Sequence, residues 1–133
     1  MEPHRFDVSV YYEDTDFSGL VYHANYLKYF ERAREHLLGR SVLLAMFRDE
    51  GLGFVVYEAN LRFKEGAVFG DELEIRTTVE VKSEFRAVFK QTVWRHGGTA
   101  PMVEGDLHLV CIHNAERRLV RLPAHVIEAV RAR

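Results

Sequence analysis

Asn25-Tyr26-Leu27-Lys28-Tyr29-Phe30-Glu31-Arg32-Ala33-Arg34-Glu35-His36-Leu37-Leu38-Gly39 is the stretch on which the fold turns. Tyr26, Phe30, Ala33 and Leu37 recur at helical spacing and form one stripe, flanked by Leu27, Tyr29 and Leu38. Lys28, Glu31, Arg32 and Glu35 take the opposite face, and Gly39 supplies a stop. The pattern predicts an amphipathic helix of about four turns at roughly 3.6 residues each. Arg34 alone interrupts the apolar face. Its stem can lie along that surface, and its guanidinium is expected to be paired.

On the N-terminal side, Phe6, Val8, Val10 and Tyr12 alternate with Arg5, Asp7, Ser9 and Tyr11, the period-two signature of a half-buried strand that ends at an acidic turn. On the C-terminal side, residues 42–50 suggest a short second helix before Gly51 and Gly53. Strand alternation then takes over. Tyr57, Ala59, Leu61 and Phe63 are expected to face one way against Glu58, Asn60, Arg62 and Lys64. The pattern repeats over residues 73–82, 85–95, 103–113 and 118–122, with turn signals between, and residues 125–131 suit a terminal helix. Strand, long helix, then four or five consecutive strands predicts an α+β fold, a mostly antiparallel meander with the helix on one face. Helices do not alternate with strands and no glycine-rich phosphate loop follows the first strand, so a dinucleotide-binding architecture is excluded.

A length of 133 residues suits a single domain over residues 1–133. With 47% hydrophobic and 29% charged residues the composition is that of an ordinary soluble domain. A net charge of -2 lacks the basic field that nucleic-acid binding draws on, so no nucleic-acid partner is expected. Cys111 is the only cysteine, which rules out an intramolecular disulfide or a thiolate zinc cluster, and its apolar neighbours read as a buried strand. No signal-peptide run and no bilayer-length apolar stretch are present, and a cytoplasmic location is expected. Gln91 is the sole glutamine and arginines outnumber lysines, a bias consistent with a hot habitat or a GC-rich genome.

Asp14 and Asp16 lie between the first strand and the helix, with Gly19 giving backbone freedom and Ser18 or Asn25 available as a cap. On propensity alone they read as a capped turn, since acidic groups at a helix start gain about 0.3–1 kcal/mol from the dipole. Asp14 fits that role. Asp16 precedes an apolar and aromatic run that would set it in a pocket wall, where a carboxylate has a second use. It can attack a thioester carbonyl or take a proton from water, while unpaired N–H groups at the helix start stabilise the developing oxyanion. One such donor is typically worth ~10²- to 10³-fold in rate. His23 adjoins that terminus and offers its N–H as donor and its imidazole as acid or orienting group, although an isolated histidine is more often structural. Tyr12 can hydrogen-bond into the same pocket, but its place in the alternation favours core packing. Lys82, Arg86 and Lys90 are candidate contacts for the phosphates of a nucleotide-bearing substrate, against the commoner reading of solvated strand charges. No Ser or Cys nucleophile lies near His23 in the sequence, and the seven histidines show no compact metal spacing. Serine- and zinc-hydrolase chemistries are therefore set aside, and no metal or cofactor is expected.

The run Tyr12-Glu13-Asp14-Thr15-Asp16-Phe17-Ser18-Gly19-Leu20-Val21-Tyr22-His23-Ala24-Asn25-Tyr26, continued by Tyr29-Phe30-Glu31-Arg32-Ala33-Arg34, resembles the 4-hydroxybenzoyl-CoA thioesterase family, and within it the Tol-Pal-associated acyl-CoA thioesterase branch. The likeness continues through Phe54-Val55-Val56, Leu61-Arg62-Phe63 and Val110-Cys111. It implies a hotdog fold, an antiparallel sheet wrapped around one long central helix. It also implies a hydrolase that converts an acyl-CoA thioester to free acid and CoA, working as a homodimer or homotetramer with active sites at the dimer interface. By motif position it puts the catalytic aspartate on Asp16, the carbonyl-polarising N–H and the functional histidine on His23, and a supporting tyrosine on Tyr12. Two departures stand out. Gly66 precedes Ala67 where relatives tend to carry proline, and Ser83, Glu84 and Phe85 replace a basic cluster that some relatives use for CoA phosphates.

Two other readings share the fold. In one, His23 and Glu31 form the acid–base pair of an acyl-thioester hydratase or dehydratase, against which Glu31 falls near the polar face of the helix. In the other the chain is a non-catalytic acyl-CoA-binding module, against which no DNA-binding or other domain is attached.

Overall fold

The computed structural model describes residues 2–131. Strand β1 (His4–Ser9) leads through a short 3-10 turn (Tyr12–Asp14) and a loop to helix α1 (Asn25–Leu38). Helix α2 (Arg40–Ala45) continues into one π-helical turn (Met46–Glu50). Strands β2 (Leu52–Phe63), β3 (Glu72–Val81), β4 (Arg86–Arg95), β5 (Val103–His113) and β6 (Arg118–Val120) follow, and helix α3 (Ala124–Arg131) closes the chain.

Helix α1 forms where the apolar stripe predicts it. Tyr26, Tyr29, Phe30, Ala33, Leu37 and Leu38 are buried, and Gly39 ends the helix at φ 99°, its N–H donating to the Glu35 carbonyl at 2.8 Å. The stripe lies on the inward faces of the sheet, chiefly Leu73 and Ile75 of β3, Phe89 and Val93 of β4, and Val103, Leu107 and Leu109 of β5. Gly105 is the point of closest approach, where an added Cβ would stand 2.8 Å from Phe30 Cε2. Burial of Phe30, which has no exposed surface, contributes about 1.5–3 kcal/mol.

Every strand pair is antiparallel, in the order β1-β3-β4-β5-β2, with β6 beside the end of β5. Strands β3, β4, β5 and β6 form the expected meander. Strand β2 does not join it in sequence order but crosses to the far edge and pairs with β5 alone, because β3 is already flanked by β1 and β4. A bulge between Val56 and Glu58 interrupts the β2 alternation. Ala59, Leu61 and Phe63 keep the inward face opposite Leu107, Gly105 and Val103, whereas the Tyr57 ring meets outward-facing His108 at 5.9 Å. The expectation that Tyr57 shares their face is corrected by that extra residue. Among the described residues no strand pairs with the outer edge of β2, and Val55, Val56, Tyr57 and Phe63 remain 38–51% exposed.

Two further expectations are overturned. The first strand stops at Ser9, and Tyr12 sits in the 3-10 turn with 78% of its surface exposed, so it does not pack in the core. Neither Ser18 nor Asn25 caps α1. Ala24 occupies that position without a side-chain bond, and Asn25 instead donates to the Asp14 carbonyl at 2.8 Å.

Arg34 and Gln91 meet beneath the helix. The guanidinium donates to Gln91 Oε1 at 3.0 Å, and Gln91 Nε2 donates to the Phe30 carbonyl and to Thr77 Oγ1, both at 3.0 Å. The expected partner of Arg34 is thus a neutral amide, and the sole glutamine is fully buried. Cys111 is buried as expected, and that burial pushes its thiol pKa up.

Candidate active site

Residues 15–21 form a small hairpin ahead of α1. Thr15 bridges Val21, the Asp16 N–H donates to the Leu20 carbonyl at 2.9 Å, and the Gly19 N–H returns to the Asp16 carbonyl at 3.0 Å. Gly19 takes the left-handed conformation at φ 86°, which glycine adopts without strain. The hairpin docks on the loop after β2, where Leu20 bridges Val68 and the Val21 N–H donates to the Ala67 carbonyl at 2.9 Å. Tyr26 of α1 ties the same loop by accepting the Ala67 N–H on its phenol oxygen at 3.1 Å. Gly66 suits this contact, since a Cβ there would lie 2.8 Å from Leu20 Cδ1. The missing Cβ at Gly66 leaves space that the Leu20 side chain fills.

At the base of the hairpin the Asp16 carboxylate uses one oxygen. Oδ1 accepts the Ser18 N–H at 2.8 Å and also the Ser18 hydroxyl. These two bonds hold the Asp16 carboxyl below the usual carboxylate range, so it is ionised at neutral pH. Asp14 plays the turn-forming part, its Oδ2 accepting the Tyr11 N–H at 2.8 Å.

Asp16 lines two cavities. One, of about 280 Å³, also has Ser18, His23, Tyr26, Phe63 and Lys64 in its wall. The other, of about 590 Å³, is an aromatic cradle of Tyr12, Phe17 and Phe69. Asp16 and His23 thus come together on one side, and Asp16 and Tyr12 on the other. His23 precedes α1, and its N–H has no acceptor among the described residues. Its ring packs on Tyr22 at 4.5 Å and faces Phe63 edge-on at 6.2 Å.

Lys82, Arg86 and Lys90 are not brought to Asp16. Lys82 lies just past the end of β3, and Arg86 and Lys90 lie on the outward face of β4; Lys82 and Lys90 flank Glu80 at 3.1 and 3.7 Å, and Lys90 lines a different cavity. The lysine at the Asp16 cavity is Lys64, which pairs with Glu104. Glu31 lies in the wall of another cavity of about 470 Å³, between α1, α2 and β2, with Arg34, Met46 and Phe54. Asp7, Glu74 and His96 present potential metal-ligand atoms within 4.8 Å of one another. Two arginines already occupy the Glu74 carboxylate, Arg5 at 3.0 Å and Arg76 at 2.7 Å, and Asp7 faces His96 at 3.1 Å, so the group is balanced in charge without an ion.

Sequence reading missed Tyr26, Phe63 and Lys64 as wall residues. Tyr26 and Phe63 fall on apolar stripes that look like core alone, and Lys64 looks like a solvated strand end.

A long helix held by an antiparallel sheet is the hotdog architecture. The chain belongs to the thioesterase-like superfamily, whose sequence pattern it matches over residues 10–130. It is 32% identical over 128 residues, 92% of each chain, to the acyl-CoA thioester hydrolase YbgC of Escherichia coli. Among solved structures, a probable thioesterase from Bartonella henselae is 34% identical with a TM-score of 0.77, matching 92% of this chain and 100% of that one. The fold of a 1,4-dihydroxy-2-naphthoyl-CoA thioesterase from Synechocystis superposes with a TM-score of 0.88 at 24% identity, over 96% and 95% of the two chains.

Proposed function

We propose that the chain hydrolyses acyl-CoA thioesters to free acid and CoA, with Asp16 as nucleophile or general base and the His23 N–H as oxyanion donor. One observation carries this reading. The ionised Asp16 and His23, whose N–H has no acceptor among the described residues, line a single cavity. In the general-base form, the unengaged Asp16 oxygen takes a proton as water adds to the thioester carbonyl. The N–H receives the charge gathering on the carbonyl oxygen, and collapse expels the thiolate, which regains the proton. In the nucleophilic form the same oxygen attacks the acyl carbon and the C–S bond breaks, expelling the CoA thiolate and leaving a mixed anhydride; water then cleaves the anhydride to the free acid and the Asp16 carboxylate, and its released proton goes to the thiolate. The CoA portion of the substrate is inferred from the activity for which the Escherichia coli relative is named.

Tyr12, which lines the cradle beside Asp16, is assigned the supporting part, holding the acyl group. The bare edge of β2 supports pairing with the same edge of a second copy, as a homodimer or as the unit of a homotetramer, with the sites beside that seam. The hydratase reading finds no support, because Glu31 and His23 line separate cavities.

The test is release of free thiol from a panel of short, long and aromatic acyl-CoAs. The wild type is expected to turn over at least one of them, and Asp16→Asn is expected to lose about 10²- to 10⁴-fold. Equal rates for the two proteins would remove Asp16 from the chemistry.

A further inference from the structure

The hairpin holds the Asp16 carboxylate asymmetrically. Both donors on Oδ1 come from Ser18, and the Ser18 oxygen in turn accepts the Leu20 N–H at 3.3 Å. That incoming bond occupies a lone pair of the serine oxygen and leaves its proton for the carboxylate. Oδ2 has no partner among the described residues. Ser18 and Asp16 line the same cavity. A carboxylate with one free oxygen would otherwise sample several side-chain rotations. Two donors on the other oxygen remove that freedom, and no other side chain is needed to do it.

We propose that Ser18 is a positioning residue for the reaction, locking Asp16 Oδ1 so that Oδ2 is the oxygen presented to water or to the thioester carbon. The inference rests on the role given above to Asp16 and adds an assignment of its two oxygens. It also gives the serine hydroxyl a part short of nucleophile: its proton is donated to the aspartate and stays on the serine throughout the cycle.

Ser18→Ala removes the hydroxyl and keeps the N–H bond, so the lock is weakened rather than abolished. The expected result is a fall in kcat of about three- to thirtyfold with KM held within about twofold, since the lost interaction aligns the reacting oxygen and does not bind substrate. Ser18→Thr, which restores a hydroxyl, is expected to recover most of the loss, and neither variant should shift the unfolding midpoint by more than a degree or two. The second readout needs no substrate. In a carboxyl-carbon NMR titration the Asp16 signal should titrate at higher pH in Ser18→Ala than in the wild type, and return in Ser18→Thr.

Unchanged kcat together with an unchanged Asp16 titration would overturn the proposal. So would a Ser18→Ala protein as inactive as Asp16→Asn, which would make the hydroxyl itself the reacting group. If the wild type cleaves no thioester, the functional reading fails separately, and the titration still decides whether Ser18 governs the Asp16 carboxylate.

Discussion

The roles proposed for Asp16 and His23 differ in kind, a side chain in one and a backbone N–H in the other. Substitutions at His23 separate these contributions. His23→Ala keeps the N–H and should retain activity within about tenfold, whereas His23→Pro removes it and should lose about 10²- to 10³-fold. The comparison is made by steady-state thiol release on proteins whose circular dichroism matches the wild type. With Asp16 in its proposed role, the bonds from Ser18 also predict a pH response. Because they depress the Asp16 carboxyl below its ordinary value of 3.8, the ionised form, which the proposed chemistry requires, persists through mildly acidic conditions and is lost only as pH falls through the lowered value. A profile of kcat/KM should therefore stay flat on its acid side down to about pH 4.5, measured in buffers in which the wild type remains folded. An acid limb near neutrality would assign control of the rate to another group.

Helix α1 and strand β5 show what local pattern reveals. The stripe from Tyr26 to Leu37 and the stop at Gly39 bound the helix to within a residue, and β5 runs over the predicted residues without change. Strand β2 shows what it does not reveal. Alternation records which side chains turn inward but carries no label for the neighbouring strand, so the crossing of β2 to the far side of β5 is invisible in sequence. The bulge at Tyr57 has no glycine to announce it. Gln91 has the same difficulty, since its partner Arg34 lies 57 residues away and only the folded chain joins them. The residue types of the Asp16 hairpin point to a turn with chemical use, but the direction of the Ser18 hydroxyl depends on backbone closure by Gly19 and Leu20. At this scale the testable contact is between α1 and β5. Gly105→Ala sets a methyl group 2.8 Å from Cε2 of the fully buried Phe30 ring and should cost about 1–3 kcal/mol in urea unfolding. A Phe30→Leu companion change should recover part of the loss by vacating the contact.

At the scale of the whole molecule, β2 is the longer of the two edge strands, and among the described residues no strand pairs with its outer side. Strand β2 spans Leu52–Phe63, pairs on one side only, and carries exposed Val55, Val56 and Tyr57 near its middle. Such an edge invites another strand, and few charges along its centre discourage one. Sedimentation velocity should show a dimer or a larger even-numbered assembly for the wild type, and a shift toward monomer when lysine replaces Val55 and Val56 together. A wild type that stays monomeric at micromolar concentration would detach the proposed seam from the proposed site. If the seam forms, the unfinished edge also changes what stability means for this protein. Part of the free energy that holds one chain folded then resides in its encounter with another, so the melting temperature should climb as the solution is made more concentrated and decline on dilution. A freshly made chain, alone and with β2 uncovered, would be at its most fragile before it meets a second copy.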